Sequence, residues 1–343
     1  IKKYKKFKNI VLIGMGGSIL GAEAIHCWFR NKLKRNFLFI DDINNEKIKE
    51  FNLIKKKNKT LFIVISKSGN TIETLSNLFA LKLVKKNKKN IIIISEKNNN
   101  HLFKLAKKMN LKHIEHKNYI GGRYSIFSEV GILPAYLMGI NINKFRKNLL
   151  KNFNSKFKNS LKKNSTLLAN LLIQKKFQNL VLLNYSPRLN KFLYWYQQLI
   201  AESLGKKGKG YLPLISNAPK DHHSLLQIYL DGPKNKFFYI FSEVKKKEAP
   251  LNISSNIEGL NFLDKKSLSN IKLAQKNALV KSLKKNKIPF KEIIIKDFNE
   301  ETLGQLFSYF IIETVLIGIN ANINPYDQPA VEQVKIDTKK LLT

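Results

Sequence analysis

The sequence predicts an α/β protein with two tandem domains, each a mainly parallel sheet flanked by helices. Short runs rich in isoleucine and valine alternate with stretches of helical periodicity along the chain. These runs are continuously apolar, which is typical of strands that helices cover on both faces of a parallel sheet. The length of 343 residues is enough for two domains that each bury a core.

Seven strands are predicted, at 10–13, 37–40, 61–65, 91–94, 180–183, 237–241 and 292–295. Helices are predicted between them at 19–33, 72–84, 189–204, 267–285 and 301–319. The polar helical stretch 142–176 is expected to join the halves. The first domain is therefore assigned to residues 1–141, and the second, with a helical connector and a C-terminal helix, to residues 142–343.

The formal charge of +38 raises the possibility of nucleic-acid binding. Only five of the 62 basic residues are arginine, however, and nucleic-acid readers depend on arginine for bidentate and stacking contacts. The lysines are spread among asparagine and isoleucine, as an A+T-rich coding sequence would supply. We therefore expect no nucleic-acid partner, although the positive field would attract anionic substrates.

Cellular context follows from the single cysteine and from the absence of long apolar runs. Cys27 excludes a disulfide within the chain, which favours a reducing compartment, and it is expected to be a small buried residue on a helix. No uninterrupted apolar run approaches the roughly 18 residues of a membrane span, and the basic start is not followed by a signal-peptide core. A cytoplasmic protein without membrane partners is expected. Because residue 1 is isoleucine and a strand follows almost at once, we also expect a missing N-terminal segment.

A glycine-rich turn at 14–18 follows the first predicted strand and precedes a helix. Glycine allows a sharp bend and a close approach to a ligand, and the helix start offers N–H groups that favour an anion. A dinucleotide site has a similar shape. Its G-x-G-x-x-G spacing is broken here at Ile19, and Asp41 and Asp42 are only candidates for its acidic residue.

The segment 66–71 (Ser-Lys-Ser-Gly-Asn-Thr) also lies between a strand and a helix. Three hydroxyls and an amine at a helix start suit a phosphate. The alternative is helix capping, with Ser68 or Asn70 as N-cap and Glu73 completing a capping box. Capping accounts for one hydroxyl but not for the whole set, so phosphate binding is favoured.

Both turns resemble the sugar isomerase (SIS) fold, and four later segments resemble the glucose-6-phosphate isomerase family in the family's order. These segments are 121–125 with 130–134, 197–203, 221–224 with Gln227, and 318–320 with 324–332 and Lys335. The resemblance covers essentially the whole chain from about residue 10. It implies interconversion of glucose 6-phosphate and fructose 6-phosphate through a cis-enediol without cofactor or metal. It also implies a homodimer in which a histidine comes from the neighbouring subunit.

The resemblance assigns roles that agree with the chemistry of the residues. Glu202 would move a proton between neighbouring carbons, and Arg123 would stabilise the negative enediolate. His223 would open the sugar ring, and Lys335 would assist at the ring oxygen. Gln198 lies one helical turn before Glu202, so both face one side. The remaining substrate contacts are expected to be phosphate contacts: Gly17, Ser18, Ser66, Lys67, Ser68 and Thr71.

Several points stay open at this level. His222 stands where the family is usually apolar, so the histidine could be displaced by one residue. The phosphate segment resembles that of shorter bacterial members, and Leu204 replaces a common asparagine. A bifunctional glucose/mannose phosphate isomerase and a non-catalytic SIS sensor are the alternatives. No metal is expected, since His101, His113 and His116 lie on a predicted lysine-rich surface segment without the spacing of metal ligands.

Overall fold

A computed structural model describes residues 1–53, 59–244, 248–251 and 259–343, and it confirms the α/β class with two parallel sheets flanked by helices. The first sheet has the order β2-β1-β3-β4-β5 and the second has the order β7-β6-β8-β9. The strands are β1 (Asn9–Ile13), β2 (Asn36–Ile40), β3 (Thr60–Ile65), β4 (Ile91–Ser95), β5 (Lys112–Glu115), β6 (Asn179–Asn184), β7 (Leu212–Asn217), β8 (Lys236–Glu243) and β9 (Phe290–Ile295).

The predicted helices are present within a few residues of their expected bounds, and the connector consists of α6 and α7 around a short 3₁₀ turn. The helices are α1 (Leu20–Phe29), α2 (Asn45–Leu53), α3 (Ile72–Ala80), α4 (His101–Lys108), α5 (Glu129–Met138), α6 (Ile142–Lys147), α7 (Ser155–Ile173), α8 (Asn190–Leu204), α9 (Leu226–Leu230), α10 (Leu268–Lys285), α11 (Glu300–Asn320) and α12 (Glu332–Leu341).

Sequence patterning missed β5 and β7, and both are edge strands that pair on one side only. β5 reads Lys-His-Ile-Glu and has exposed ends, so it lacks an apolar run. β7 contains Pro213, which cannot donate to a sheet hydrogen bond and is tolerated at an edge.

The two sheets share one topology. In each sheet, the strand that comes first in the chain lies between the second and the third. The first connection therefore runs to one side of that strand and the next connection crosses to its other side, which creates a switch point beside β1 and another beside β6. Ligands of open α/β sheets bind at the carboxyl ends of the strands at such a point. Since Ile13 of β1 pairs with Val64 of β3, the turn 14–18 and the segment 66–71 emerge side by side.

One large apolar cluster joins the two halves. Ile25 and Trp28 of α1 belong to the same buried cluster as residues of α7, α8 and α11. At its centre the Phe307 ring lies 4.6 Å from the Trp195 ring and 5.1 Å from the Phe192 ring, measured between centroids. A shared core therefore fixes the halves to each other, and the boundary at 141/142 stays a prediction.

Two arginines also tie distant segments together. Arg35 donates from Nη1 to the Leu137 carbonyl (2.8 Å) and from Nη2 to the Lys5 carbonyl (3.0 Å). Arg188 donates from Nε (2.9 Å) and Nη2 (2.6 Å) to the Trp28 carbonyl. Each guanidinium thus uses two nitrogens at once, which the single ammonium of lysine cannot do in the same geometry.

Within the described ranges, α11 is the one helix whose length and apolar composition would suit a membrane span. Half of that stretch is buried inside the fold, and α11 packs against α6, α7 and α8. Its apolar character is therefore explained by its place in the core.

The surface placement expected for the three histidines is wrong for His116, which is 2% exposed. His116 follows β5 directly, and pairing with β4 carries it into the sheet; burial lowers its pKa. His113 is half-buried, 3.0 Å from the Ser95 hydroxyl, while His101 is exposed at the start of α4. Cys27 is half-buried rather than buried on α1.

Replacing Phe307 with alanine should lower the free energy of unfolding by about 3–5 kcal/mol, because the aromatic cluster would be left with a cavity. Phe79→Ala is the control: Phe79 is 56% exposed on α3, so its loss should cost less than about 1 kcal/mol. Denaturant unfolding of both variants measures the difference, and equal losses would contradict the assigned core.

Candidate active site

Glycine at positions 16 and 17 allows three chain segments to meet beside the end of β1. Gly16 has φ +52°, and a β-carbon there would lie 2.7 Å from Nε2 of Gln198 on α8. A β-carbon on Gly17 would lie 2.3 Å from the carbonyl carbon of Gly122. The Gly122 backbone cannot give way, so the distance excludes a side chain at Gly17, while at Gly16 the positive φ disfavours one. The turn therefore packs closely on α8 and on the backbone before Arg123. Ser18 follows in the same turn, ahead of α1.

The segment 66–71 lies at the adjacent strand end. The Ser66 hydroxyl, which is buried, lies 2.8 Å from the Thr71 hydroxyl, and the Ser68 hydroxyl accepts from the Asn70 N–H (3.3 Å). Helix α3 begins after Thr71, whose side chain makes no capping hydrogen bond. The capping alternative with Ser68 or Asn70 as N-cap is therefore wrong, and the first N–H groups of α3 remain uncapped by a side chain.

Lys67 is oriented differently from the hydroxyls of its segment. Its Nζ donates to the Asn118 carbonyl (2.8 Å) and lies 3.8 Å from Oε1 of Glu96. The Ser66 and Thr71 hydroxyls therefore lie together, whereas the Lys67 ammonium is bound to the neighbouring loop that contains Asn118.

Arg123 occupies the 3₁₀ turn Gly122–Phe127 and is 3% exposed. A guanidinium has five N–H hydrogens, and a buried charge is costly unless they are satisfied. Five acceptors surround this one: Ser203 Oγ (2.9 Å from Nε), Glu202 Oε2 (3.2 Å) and Gln328 Oε1 (3.1 Å) at Nη1, and the carbonyls of Pro325 (2.7 Å) and Asp327 (2.9 Å) at Nη2.

Glu202 lies on α8 with its side chain 31% exposed. One of its oxygens is bonded by Arg123, and the other accepts from Nε2 of Gln198 at 2.8 Å. The predicted shared face of Gln198 and Glu202 is thus confirmed. Oε1 of Gln198 is buried without a hydrogen-bond partner in the described residues.

The two histidines of the turn Lys220–His223 differ in environment. Nε2 of His222 lies 2.7 Å from the Tyr185 hydroxyl, within hydrogen-bond distance, and burial lowers the pKa of His222. Asp221 accepts from the Asn217 N–H (2.7 Å) and fixes the turn. His223 is exposed. This arrangement favours His223 as the histidine that is free to reach a ligand.

Neither His223 nor Lys335 joins Glu202 and Arg123 within the part of the chain that the structure describes. Lys335 lies on α12, a helix without buried residues, and its Nζ pairs with Glu332 (3.1 Å). The structure therefore brings together Gly17, Gln198, Glu202 and Arg123, while His223 and Lys335 remain on exposed elements and their roles stay predictions.

Comparison with known proteins agrees with this geometry. A sequence model of the family described as phosphoglucose isomerase matches residues 2–213. The chain is also 35% identical to a glucose-6-phosphate isomerase of Methanocaldococcus jannaschii, over 98% of this chain and 85% of that protein. The chain belongs to the phosphoglucose isomerase family.

Solved structures extend the likeness. A hypothetical protein of Thermus thermophilus superposes with a TM-score of 0.84 at 27% identity, covering 100% of this chain and 86% of that one. A glucose-6-phosphate isomerase of Chlamydia trachomatis superposes with a TM-score of 0.81 at 19% identity, covering 99% and 70%, which is a likeness of fold.

Several residues at the Arg123 site of this phosphoglucose isomerase family member lie outside the set predicted from the sequence, among them Gln328, Ser203 and Lys206. Gln328 accepts a hydrogen bond from Arg123, and its place in the C-terminal motif is the feature of the sequence that indicates a role at the site. Ser203 directly follows Glu202. Lys206 bonds the Asp327 carboxylate (2.7 Å), lowering the pKa of Asp327, and nothing in the sequence distinguishes it from the other lysines.

Gly17→Ala should lower both stability and isomerase activity, because its β-carbon would overlap the Gly122 backbone and push the Arg123 turn away from α8. A loss of about 1–3 kcal/mol in the free energy of unfolding is expected for such overpacking. Gly122→Ala is the matched control, since a β-carbon there meets nothing within 4 Å. Thermal unfolding measures both variants; a Gly17→Ala protein as stable as Gly122→Ala would contradict the close approach.

Proposed function

We propose that this chain interconverts glucose 6-phosphate and fructose 6-phosphate through a cis-enediol intermediate. The observation that carries the proposal is the partly exposed carboxylate of Glu202, 3.2 Å from the buried Arg123 guanidinium. This pair lies beside two strand ends whose turns suit a phosphate. The family membership and the printed names of its relatives support the same reaction.

The substrate phosphate would bind between the turn 14–18 and the start of α3. The backbone N–H of Gly17, and the hydroxyls of Ser18, Ser66, Ser68 and Thr71, would donate to its oxygens. Lys67 would add its charge from the side of the site, after exchanging the Asn118 carbonyl for the phosphate. Gln198 would contact the substrate from the side of α8 that carries Glu202.

Glu202 would then act as the base. In the direction from aldose to ketose, its carboxylate takes the proton from C2, the C–H electron pair forms the C1–C2 double bond, and the C1 carbonyl π pair moves onto O1. The hydroxyl proton of O2 is transferred to O1. The same carboxylic acid then returns its proton to C1 as the C2 carbonyl forms, so no atom is gained or lost. A carboxylate that is partly open to solvent but fixed by Gln198 and Arg123 suits this transfer.

Arg123 would stabilise the negative charge that develops on the substrate oxygens. Its position is set before substrate arrives, and a fixed cation lowers the energy of the charged intermediate more than that of the neutral substrate. A non-catalytic sugar-phosphate sensor would have no need of this buried cation beside a carboxylate, so the arrangement favours an enzyme.

His223 would act from a second copy of the chain in a cytoplasmic homodimer. His223 would open the sugar ring, and Lys335 would assist at the ring oxygen. Exposed apolar side chains on and beside α12 support coverage by a second copy. These side chains, between 42% and 88% exposed, are Val331, Val334, Ile336, Leu341 and Leu342.

Glu202→Gln should reduce kcat roughly 10²- to 10⁴-fold with KM little changed, because the shape remains and the base is lost. A coupled assay of fructose 6-phosphate conversion to glucose 6-phosphate measures it. Glu301→Gln is the control: the Glu301 side chain is 29% exposed and also pairs with a cation, Lys147, but lies on α11 outside the site. If Glu202→Gln turns over at the wild-type rate, the assigned base is wrong.

Mixing two inactive variants tests the shared site. Glu202→Gln and His223→Ala are each expected to be inactive, but a hybrid dimer holds one site with both residues intact. Refolding an equal mixture should recover about a quarter of the wild-type activity, because half of the dimers are hybrids with one working site of two. Each variant refolded alone is the control. No recovery from a mixture shown to contain hybrids would place His223 and Glu202 of one site in the same chain.

A further inference from the structure

A chain of hydrogen bonds runs from Arg123 through two hydroxyls. Arg123 Nε lies 2.9 Å from Ser203 Oγ, which lies 2.8 Å from Tyr124 Oη, which lies 2.8 Å from the Pro325 carbonyl oxygen. A guanidinium only donates and a carbonyl only accepts, so every proton in the chain is assigned. Ser203 accepts from Arg123 and donates to Tyr124, and Tyr124 donates to Pro325.

The five acceptors match the five N–H hydrogens of the Arg123 guanidinium, so none of its hydrogens lacks an acceptor. Three of the other four acceptors of the guanidinium belong to the segment 325–328, which crosses from the far end of the sequence. Ser203 is the acceptor on α8 next to Glu202, so it sets the position of the cation relative to the carboxylate of the same helix. Ser203 is fully buried, and burial raises the pKa of Tyr124, which keeps its hydroxyl protonated as a donor.

We propose that Ser203 and Tyr124 are positioning residues for the isomerisation, which hold the Arg123 guanidinium in the orientation that stabilises the enediolate. The inference rests on the proposed function and deepens it. Neither hydroxyl needs to touch the sugar. Removing either one leaves the cation buried but lets it rotate toward the segment 325–328, so charge stabilisation in the transition state falls while substrate binding persists.

The test begins with Ser203→Ala and Tyr124→Phe in the full chain. Each should lower kcat roughly tenfold with KM within about twofold, because the first removes a hydrogen bond to the guanidinium and the second removes the partner that orients the Ser203 hydroxyl. Ser165→Ala and Tyr194→Phe are the matched controls and should keep the wild-type kcat. Ser165 is fully buried on α7 with no partner for its hydroxyl in the described residues, and Tyr194 is 43% exposed on α8.

A double-mutant cycle with Arg123→Lys separates positioning from a merely structural role. A lysine side chain has no planar guanidinium with an Nε–H group. In the Arg123→Lys background, Ser203 therefore has no guanidinium to orient. Ser203→Ala should then cost less than about twofold in kcat, against roughly tenfold in the wild type. A structural role predicts the same factor in both backgrounds. The cycle is repeated with Tyr124→Phe, which removes only one oxygen atom and decides the question if Ser203→Ala does not fold.

Wild-type kcat in Tyr124→Phe, or equal losses in the two backgrounds, would overturn the inference while leaving the proposed function intact. A folded wild-type chain without isomerase activity would overturn the proposed function, and the inference with it.

Discussion

Burial of the Arg123 guanidinium is the constraint on which the site depends. An ion removed from water must be compensated fully by polar groups, and here the compensation comes from α8 and from the segment 325–328. The cation therefore dictates where regions some 80 and 200 residues away along the chain must lie. Gly17 completes the arrangement, because a side chain at this position would overlap the backbone that leads into Arg123.

The two sheets share a topology but use it differently. Beside β1, the reversal point carries glycine and serine turns that suit an anion. Beside β6, the same position carries Tyr185, whose hydroxyl holds His222 and with it the turn that presents His223. One sheet thus presents the two turns proposed to bind the phosphate, and the other supports the histidine turn and carries Glu202 on the helix after β6. The shared core around α1 and α8 keeps these two contributions in register.

The sequence predicted what depends on local pattern. Central strands were recognisable as apolar runs, and the spacing of Gln198 and Glu202 placed both on one face of a helix. The edge strands β5 and β7 were not predicted, because a strand at the edge of a sheet does not need a continuous apolar run. The pairing of β5 with β4 buries His116, although its lysine-rich surroundings indicated a surface position. The bonds of Ser203 and Tyr124 to partners in other segments are tertiary facts, and no spacing in the sequence encodes them.

Lysine accounts for nearly all the basic residues of this chain, yet Arg35, Arg123 and Arg188 each donate from at least two nitrogens to other segments. A lysine at position 35 or 123 would conserve the net charge and still leave a carbonyl without its donor, and a lysine at position 188 could not donate from two nitrogens to the Trp28 carbonyl. Replacement of arginine by lysine is therefore harmless on the solvated faces and damaging at these three positions. In homologues with the same compositional bias, the few remaining arginines are the first positions to inspect for contacts that fasten one part of the chain to another.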